Sequence, residues 1–393
     1  MIKRLLEKKL KEAAKKYPVI GIVGPRQSGK TTLAKKVFSQ HPYISLEKPS
    51  DLAFALEDPE GFLNQFPSGA IIDEIQKAPK LFSYIQVIVD QLQKEGMFII
   101  TGSQNFGLLE KISQSLAGRI SIQKLLPFSL EEISGTVFAP KKIEQILFKG
   151  GYPRIYDKKL SSTDWLSNYV QAYLERDVRS IKDIGDLSTF QRFLKMCAYR
   201  SGKVLNLSSL ANDCGITHNT AKAWISVLEA SFIVFLLNPY YKNFNKRLIK
   251  ASKLYFYDVG LMCFLMGINK ERDILFHPEI GSIFETFAIS ELVKIRMHRG
   301  LPLNLFYWRD KLGREIDCIV ENGQHVFPIE VKAGQTINSS YFDNLSYWAE
   351  LAESKTTDSV IIYTGKKSQK RTNGQIYGWQ DIPQLGQRNL LGS

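Results

Sequence analysis

The chain is poor in the residues that would cross-link it or grip a soft metal. Its 393 residues include four cysteines, Cys197, Cys214, Cys263 and Cys318, far apart and never in C-x-x-C spacing. That pattern excludes a disulfide framework and a zinc site, and reads as core thiols in a reducing compartment. The five histidines, His41, His218, His277, His298 and His325, are equally scattered. Long apolar runs are missing too. The longest, Phe232 to Leu237, falls far short of the ~20 residues a membrane-spanning helix needs. Acidic residues are in deficit: 39 Asp and Glu face 52 Lys and Arg, a formal net charge of +13. Such a surplus favours a polyanionic partner. A hydrophobic fraction of 44% argues against extensive disorder, and the length suffices for two or three domains.

The N-terminal segment, Met1 to Lys16, carries seven basic and two acidic residues around Leu5, Leu6 and Leu10. An export signal needs a longer apolar core. The spacing predicts an amphipathic helix packed on the domain that follows, with a membrane-surface helix as the alternative. The expected location is the cytoplasm.

What is present is a phosphate-binding loop. Gly24-Pro25-Arg26-Gln27-Ser28-Gly29-Lys30-Thr31 fits G-x-x-x-x-G-K-[ST]. An apolar run, Val19 to Val23, leads in as a buried strand, and Thr31 to Phe38 follows with helical spacing of Leu33, Val37 and Phe38. Loop and helix N–H groups would face the phosphates. Lys30 would reach the β- and γ-phosphates, and the Thr31 hydroxyl would hold Mg²⁺. Ala70-Ile71-Ile72-Asp73-Glu74 reads as a Walker B strand, with Asp73 supporting the metal and Glu74 orienting or deprotonating the attacking water. Neighbouring strand residues point to opposite faces, so both acids can act only where the strand ends and the chain turns. A further strand, Met97 to Thr101, ends in Gly102-Ser103-Gln104-Asn105, and Ser103 is the candidate γ-phosphate sensor. Arg119, in Ser115-Leu116-Ala117-Gly118-Arg119, reads equally as an arginine finger, in cis or in trans, or as a surface arginine.

Residues up to about Ser134 alternate strands and helices, as a parallel sheet covered on both faces requires. The expected strands are Val19–Val23, Tyr43–Leu46, Ala70–Asp73, Met97–Thr101 and Ile120–Leu125. A helix from Gln76 to Gln93, beyond Pro79, is expected to place Leu81, Ile85, Ile88 and Leu92 on one face. A mostly helical stretch, Leu130 to Tyr199, contains Trp165 to Lys182 with the block Glu175-Arg176-Asp177, either a solvated face or a link to the nucleotide site. Asn206 to Tyr240 changes character. Leu207 to Ala211 starts a short helix, Cys214 to Thr217 turns, and His218 to Ala230 forms a second helix with Ala221, Ile225 and Leu228 inward. This is a helix-turn-helix pattern, which serves DNA or protein partners. His218, Asn219, Thr220 and Lys222 would be the exposed readers. Pro239 to Lys253, with five basic residues, no acidic ones, and Tyr240, Tyr241 and Phe244, reads as a wing touching phosphates.

The C-terminal third holds an acidic constellation. Glu285 lies in a helix, Gly281 to Val293, with Phe284, Ala288 and Leu292 on its apolar face. Strands are expected at Leu305–Trp308, Glu315–Val320 and Val326–Val331. They carry Asp317 and, thirteen residues on, Glu330-Val331-Lys332. Glu330 and Lys332 project from one strand face. Glu285, Asp317 and Glu330 would be candidate ligands of a second Mg²⁺ and, with Lys332, would activate water for phosphodiester cleavage. The alternative is a hairpin whose charges face solvent.

These segments together resemble an uncharacterised prokaryotic family of AAA-type ATPases. The residues that carry the likeness are Gly24 to Thr32, Ala55 to Leu63 (with Asp58-Pro59-Glu60), Asp73-Glu74-Ile75-Gln76-Lys77, Thr101 to Asn105 and Ser115 to Arg119. They continue in Leu126 to Ser129, Gly150-Gly151-Tyr152-Pro153, Tyr173 to Asp177, Gly281 to Glu285, Tyr307-Trp308-Arg309 and Glu330-Val331-Lys332. The resemblance implies an α/β chain with a P-loop AAA-type parallel sheet and helical lid, followed by a winged helix and an α/β restriction-endonuclease-like domain of the PD-(D/E)XK type. The implied boundaries are 1–134 for the ATPase core, 135–203 for the lid, 204–258 for the winged helix and 259–393 for the nuclease-like domain. Glu285, Asp317, Glu330 and Lys332 occupy that fold's acidic and lysine positions, although Ile316 stands where a proline is expected before the first acid.

The expectation is therefore an ATP-binding protein that hydrolyses ATP with Mg²⁺, acting on or regulated by DNA. Two other readings stay open: an ATP-regulated Mg²⁺-dependent nuclease, and an ATP switch or scaffold for a protein partner with an inactive nuclease-like domain. A homo-oligomer is compatible with all three, and a membrane partner is not expected.

Overall fold

Val19-Ile20-Gly21-Ile22-Val23 has no polar side chain, so as a strand it can settle only in the middle of a covered sheet. In the computed structural model, which describes residues 2–103, 115–173, 187–240, 251–353, 355 and 358–386, it does so. It forms β1 (Val19–Val23), buried throughout. β2 (Tyr43–Ser45), β3 (Ala70–Asp73), β4 (Phe98–Gly102) and β5 (Ile120–Lys124) complete a parallel sheet of order β2-β3-β4-β1-β5. The phosphate-loop motif leaves the C-terminal end of β1, an interior strand, and runs into the helix Lys30–Val37. Ile20, Ile22, Leu33, Ala34, Phe38, Ile71 and Ile99 form the core of this unit. Leu6, Leu10 and Ala13 of the helix Leu6–Ala13 join it, so the basic N-terminal helix packs on the sheet. Each buried leucine contributes about 1.5–3 kcal/mol relative to exposure.

One helix face departs from expectation. Leu81–Leu92 buries Leu81, Phe82, Ile85 and Val89, while Ile88 is half-buried and Leu92 is 56% exposed. Apolar residues occur on almost every side of this helix, so periodicity alone could not fix its rotation.

The chain divides into two compact units, the first made chiefly of residues 1–127 and the second of residues 128–229, 233–296 and 302–393. The lid, helix-turn-helix and C-terminal segments thus share one unit. It opens with helices Leu130–Ser134, Ile143–Lys149, Pro153–Asp157, Ser162–Tyr173 and Leu187–Tyr199. Ser129 and Glu132 form a reciprocal capping box at the first of these. β6 (Lys203–Val204), β7 (Val234–Leu237) and β8 (Lys253–Phe256) make an antiparallel sheet of order β6-β8-β7. Between β6 and β7 lie helices Leu207–Cys214 and His218–Ala230. Their turn needs Gly215, which sits at φ 68°, a left-handed conformation costly for other residues. Ala221, Ile225 and Leu228 face inward as expected, and Trp224 packs edge-on against Phe190 and Phe193.

β9 (Leu305–Arg309), β10 (Glu315–Asn322) and β11 (His325–Lys332) form an antiparallel meander. β12 (Val360–Tyr363) and β14 (Gly374–Gly378) extend it in parallel, with β13 (Gln369–Arg371) at the edge. Tyr240 N–H donates to Tyr307 O at 2.7 Å and Tyr307 N–H to Asn238 O at 3.0 Å, so the chain leaving β7 runs beside β9. The four cysteines are buried and free. Among the described residues no helix is long and apolar enough to cross a membrane. Gln104 and Asn105, the block Leu174 to Asp177 with the side chain of Tyr173, and residues 241–250 of the basic segment lie outside the described residues.

Candidate functional site

Gly29, at φ 92°, takes the left-handed turn that starts the helix Lys30–Val37. A side chain there would be strained by the backbone rather than by crowding, since its Cβ would meet nothing within 4 Å. Lys30 folds back over the loop, its Nζ donating to Gly24 O at 3.0 Å and Pro25 O at 2.8 Å. Ser28 Oγ is buried in the loop without a hydrogen-bond partner. A loop with an orphaned hydroxyl and an ammonium resting on neutral carbonyls fits a phosphate. Arg4 braces it from behind, donating to Ser28 O at 2.9 Å and to Leu126 O at 2.5 Å.

Asp73 ends β3 at the heart of this site. Its carboxylate accepts from Thr31 Oγ1 at 3.0 and 3.2 Å, from the Tyr43 hydroxyl at 2.9 Å, and from Thr101 Oγ1. Burial first, and then the Asp73 charge, push the Tyr43 phenol up to about 12, so it stays a donor at ordinary pH. Thr31 and Asp73 together are a hard oxygen donor pair that fits Mg²⁺. Glu74 follows at φ 58°, a left-handed conformation that costs a non-glycine residue of order 1–3 kcal/mol. That turn frees Glu74 from the strand's alternation, as two adjacent working acids demand. Its carboxylate accepts from Gln76 Nε2 and, at 3.3 Å, from Ser103 Oγ. Lys30, Thr31, Asp73, Glu74 and Ser103 are therefore brought together. Tyr43, Thr101 and Arg4 are additional members that local sequence did not announce.

Arg119 is not part of this group. It precedes β5, with Val19 N–H donating to its carbonyl at 3.2 Å. It lies at the N-terminal end of the strands, the end away from the loop, roughly 16 Å away along a five-residue strand. Its guanidinium clasps Asp90 at 2.5 and 2.8 Å. A finger acting in cis is therefore not met in this arrangement.

In the second unit, the helix His218–Ala230 is capped by Thr217, whose Oγ1 accepts from Thr220 N–H at 3.1 Å. His218, Asn219 and Lys222 are exposed on its outer face and Thr220 is half-buried.

The acidic constellation also converges, around a residue read as part of the wing. Lys253, first in β8, is 1% exposed. Its Nζ donates to Glu285 at 2.9 Å, contacts Glu315, and lies 3.9 Å from Asp317. Burial alone would lower the Lys253 ammonium, but Glu285, Asp317 and Glu315 outweigh it and raise it. Tyr255, on the same face of β8, donates to Glu285 at 2.6 Å. Burial raises the Glu285 carboxyl to about 7, Lys253 opposing and Asp317 adding to the shift. Asp317 accepts from Val331 N–H at 2.8 Å, and Glu330 pairs with Lys332 at 2.5 Å. Burial and then Asp317 hold Glu330 well above the usual carboxylate range. Glu285, Glu315 and Asp317 each bring an oxygen within 4.8 Å of the others, a spacing that would suit a cation. That place is taken by the Lys253 ammonium, so the residues as arranged do not fit a divalent ion. Lys253 is thus not a solvent-facing wing residue. Its one sequence signal was a charge heading the otherwise apolar Leu254-Tyr255-Phe256.

The span that holds the first site is similar to a known family. Residues 16–134 match the AAA domain family. Residues 140–272 and 280–382 match two domains of unknown function, DUF8612 and DUF4143. The uncharacterized protein Rv2008c of Mycobacterium tuberculosis is 28% identical, covering 91% of this chain and 79% of its own. The uncharacterized protein MJ1637 of Methanocaldococcus jannaschii is 25% identical, with 75% and 73% covered. Among solved structures, the Walker-type ATPase PABY2304 of Pyrococcus abyssi superposes with a TM-score of 0.45 at 14% identity, covering 66% of this chain and 94% of that one. AMPPCP-bound DnaA from Aquifex aeolicus gives 0.31 at 17% identity, covering 57% and 86%. The chain carries an AAA-type ATPase domain and is an ATPase.

Proposed function

We propose that this ATPase works with Mg²⁺ and that DNA, held by the helix-turn-helix of a winged helix, stimulates its turnover. The observation that carries the catalytic part is the Asp73 carboxylate, fixed by Thr31, Tyr43 and Thr101 beside a loop that Lys30 spans. Thr31 and Asp73 would hold Mg²⁺, which when bound supplies charge neutralisation at the β- and γ-phosphate oxygens. Lys30 exchanges neutral carbonyl partners for phosphate and stabilises charge on the γ-phosphoryl group. Glu74 orients the attacking water, and Ser103, already on the Glu74 carboxylate, positions it.

The DNA part is supported by the exposed His218, Asn219 and Lys222 on a capped helix, and by a chain of net charge +13. The test is phosphate release with duplex, single-stranded and branched DNA at two salt concentrations. Glu74→Gln is expected to lose hydrolysis by about 10²-fold or more while still binding ATP. Lys222→Ala is expected to reduce the salt slope of DNA binding by about one. Hydrolysis indifferent to every nucleic acid would remove the DNA reading and leave the ATPase standing.

A further inference from the structure

Four carboxylates, Glu285, Glu315, Asp317 and Glu330, meet where β8, β10, β11 and the helix Ile280–His298 come together. Their positive partners are Lys253, Lys332 on Glu330 at 2.5 Å, and Arg309 on Glu315 at 3.2 Å. The arrangement is uneven. Lys253 is shared by three acids, yet Glu330, itself 1% exposed, keeps its Oε1 buried and without a hydrogen-bond partner. An orphaned buried carboxylate oxygen beside three converging carboxylates is a receptor for positive charge. Among the described residues, the positive charge nearest the convergence point is the Lys253 ammonium.

We propose that Lys253 is the resident cation of this cluster, standing where a divalent metal would otherwise bind, and that the cluster takes up such an ion only once Lys253 is removed. A divalent ion bonded to the oxygens of Glu285, Glu315 and Asp317 would share them with Nζ at van der Waals range, with like charges opposed and no water between. Lys253 cannot withdraw easily, because its stem is the first residue of a strand paired on both sides, to Val204 and to Leu237. Among the described residues, taking the ammonium away leaves four acids against Lys332 and Arg309, an acidic excess that a divalent ion can compensate. The proposal concerns a site apart from the nucleotide loop and stands whether or not DNA stimulates turnover.

The test is Mn²⁺ binding by electron paramagnetic resonance to the full-length, nucleotide-free chain. Wild type and Asp317→Asn are expected to bind the same number of ions, because Asp317 is already committed to Lys253 and to Val331 N–H. Lys253→Met is expected to bind one more, with a rise in melting temperature on adding Mn²⁺ that wild type lacks. The double variant Lys253→Met/Asp317→Asn should lose both. A wild type that binds one ion more than Asp317→Asn overturns the proposal, and so does a folded Lys253→Met with no added site. If Lys253→Met fails to fold, the comparison of wild type with Asp317→Asn decides alone.

Discussion

Two buried lysines sit at the centre of two polar sites, and their partners set them apart. Lys30 donates to the neutral carbonyls of Gly24 and Pro25, whereas Lys253 is held by Glu285, Glu315 and Asp317. A neutral carbonyl is a partner that an incoming phosphate can replace at a gain, since charge-assisted hydrogen bonds are roughly twice as strong. A set of buried carboxylates cannot be abandoned without stranding charge in a low-dielectric interior. The same side chain is therefore an exchangeable functional group in one unit and a fixed counter-ion in the other. Residue type did not separate them; the three acids gathered round Lys253 do.

The contrast breaks most sharply in activity. Lys30→Ala should cut ATP turnover by about 10²–10³-fold or more, because it removes charge from the phosphoryl group in a preorganised site. Its melting temperature should fall less than that of Lys253→Met, since the two carbonyls it leaves are neutral. Lys253→Met should do the reverse, destabilising the chain by about 3–5 kcal/mol in denaturant titrations while sparing hydrolysis by folded protein. Lys30→Ala unfolding early, or Lys253→Met as stable as wild type, would erase the distinction.

The second site can be sharpened by pH. Burial, with Lys253 opposing and Asp317 adding, raises Glu285 from 4.5 to about 7 in the fold. Between these values the folded chain keeps a proton that the unfolded chain has released, so stability falls as pH rises from about 4.5 to 7. The contribution is of order 1–3 kcal/mol. Glu285→Gln should remove that part of the slope in denaturation curves recorded at pH 5 and pH 7. An unchanged slope would mean that Glu285 is not the proton acceptor.

These two sites were unequally legible. The first is nearly contiguous: Gly24 to Thr31 are neighbours in sequence, and Asp73-Glu74 announces itself as acids closing an apolar strand. The left-handed turn at Glu74 is what makes that pair usable, and the need for a turn was readable even though its geometry was not. The second site is assembled across the chain. Lys253 reaches Glu285, 32 residues on, only because β8 pairs between β6 and β7. β8 is buried along its whole length, so no alternation marks an inward lysine, and the basic residues before it draw the eye to solvent. Asp317, Glu330 and Lys332 were visible as a motif, while Glu315 and Tyr255 needed the strand register. Tyr43 escaped notice for the same reason, since its link to Asp73 depends on β2 lying beside β3.

Tyr43 offers a milder test of how the loop site is held. Tyr43→Phe deletes one of the donors to Asp73 and keeps the ring, over which Lys35 sits at 3.3 Å from the centroid. A single hydrogen bond to a carboxylate contributes about 1.5–3 kcal/mol at most, and Thr31 and Thr101 remain. KM for Mg-ATP should rise by about 3–30-fold with a smaller change in kcat. An effect on kcat alone would place Tyr43 in the chemical step rather than behind Asp73.

Arg119 should give the smallest effect of all in dilute protein. It clasps Asp90 at the strand end away from the loop, where Asp90 is exposed and Arg119 partly so. Within one chain, Arg119→Ala therefore removes only a solvent-screened pair, and turnover per chain should be unchanged. A finger supplied by a second copy behaves differently, because it acts only when copies meet. Turnover per chain would then rise with protein concentration in wild type and stay flat in Arg119→Ala. Asp90→Ala separates the two cases further: it frees the guanidinium, so a trans finger should become more available, whereas a structural pair should lose the same modest stability whichever partner is cut. Rates measured across a hundredfold range of protein concentration for all three chains decide between a surface pair and a shared catalytic arginine.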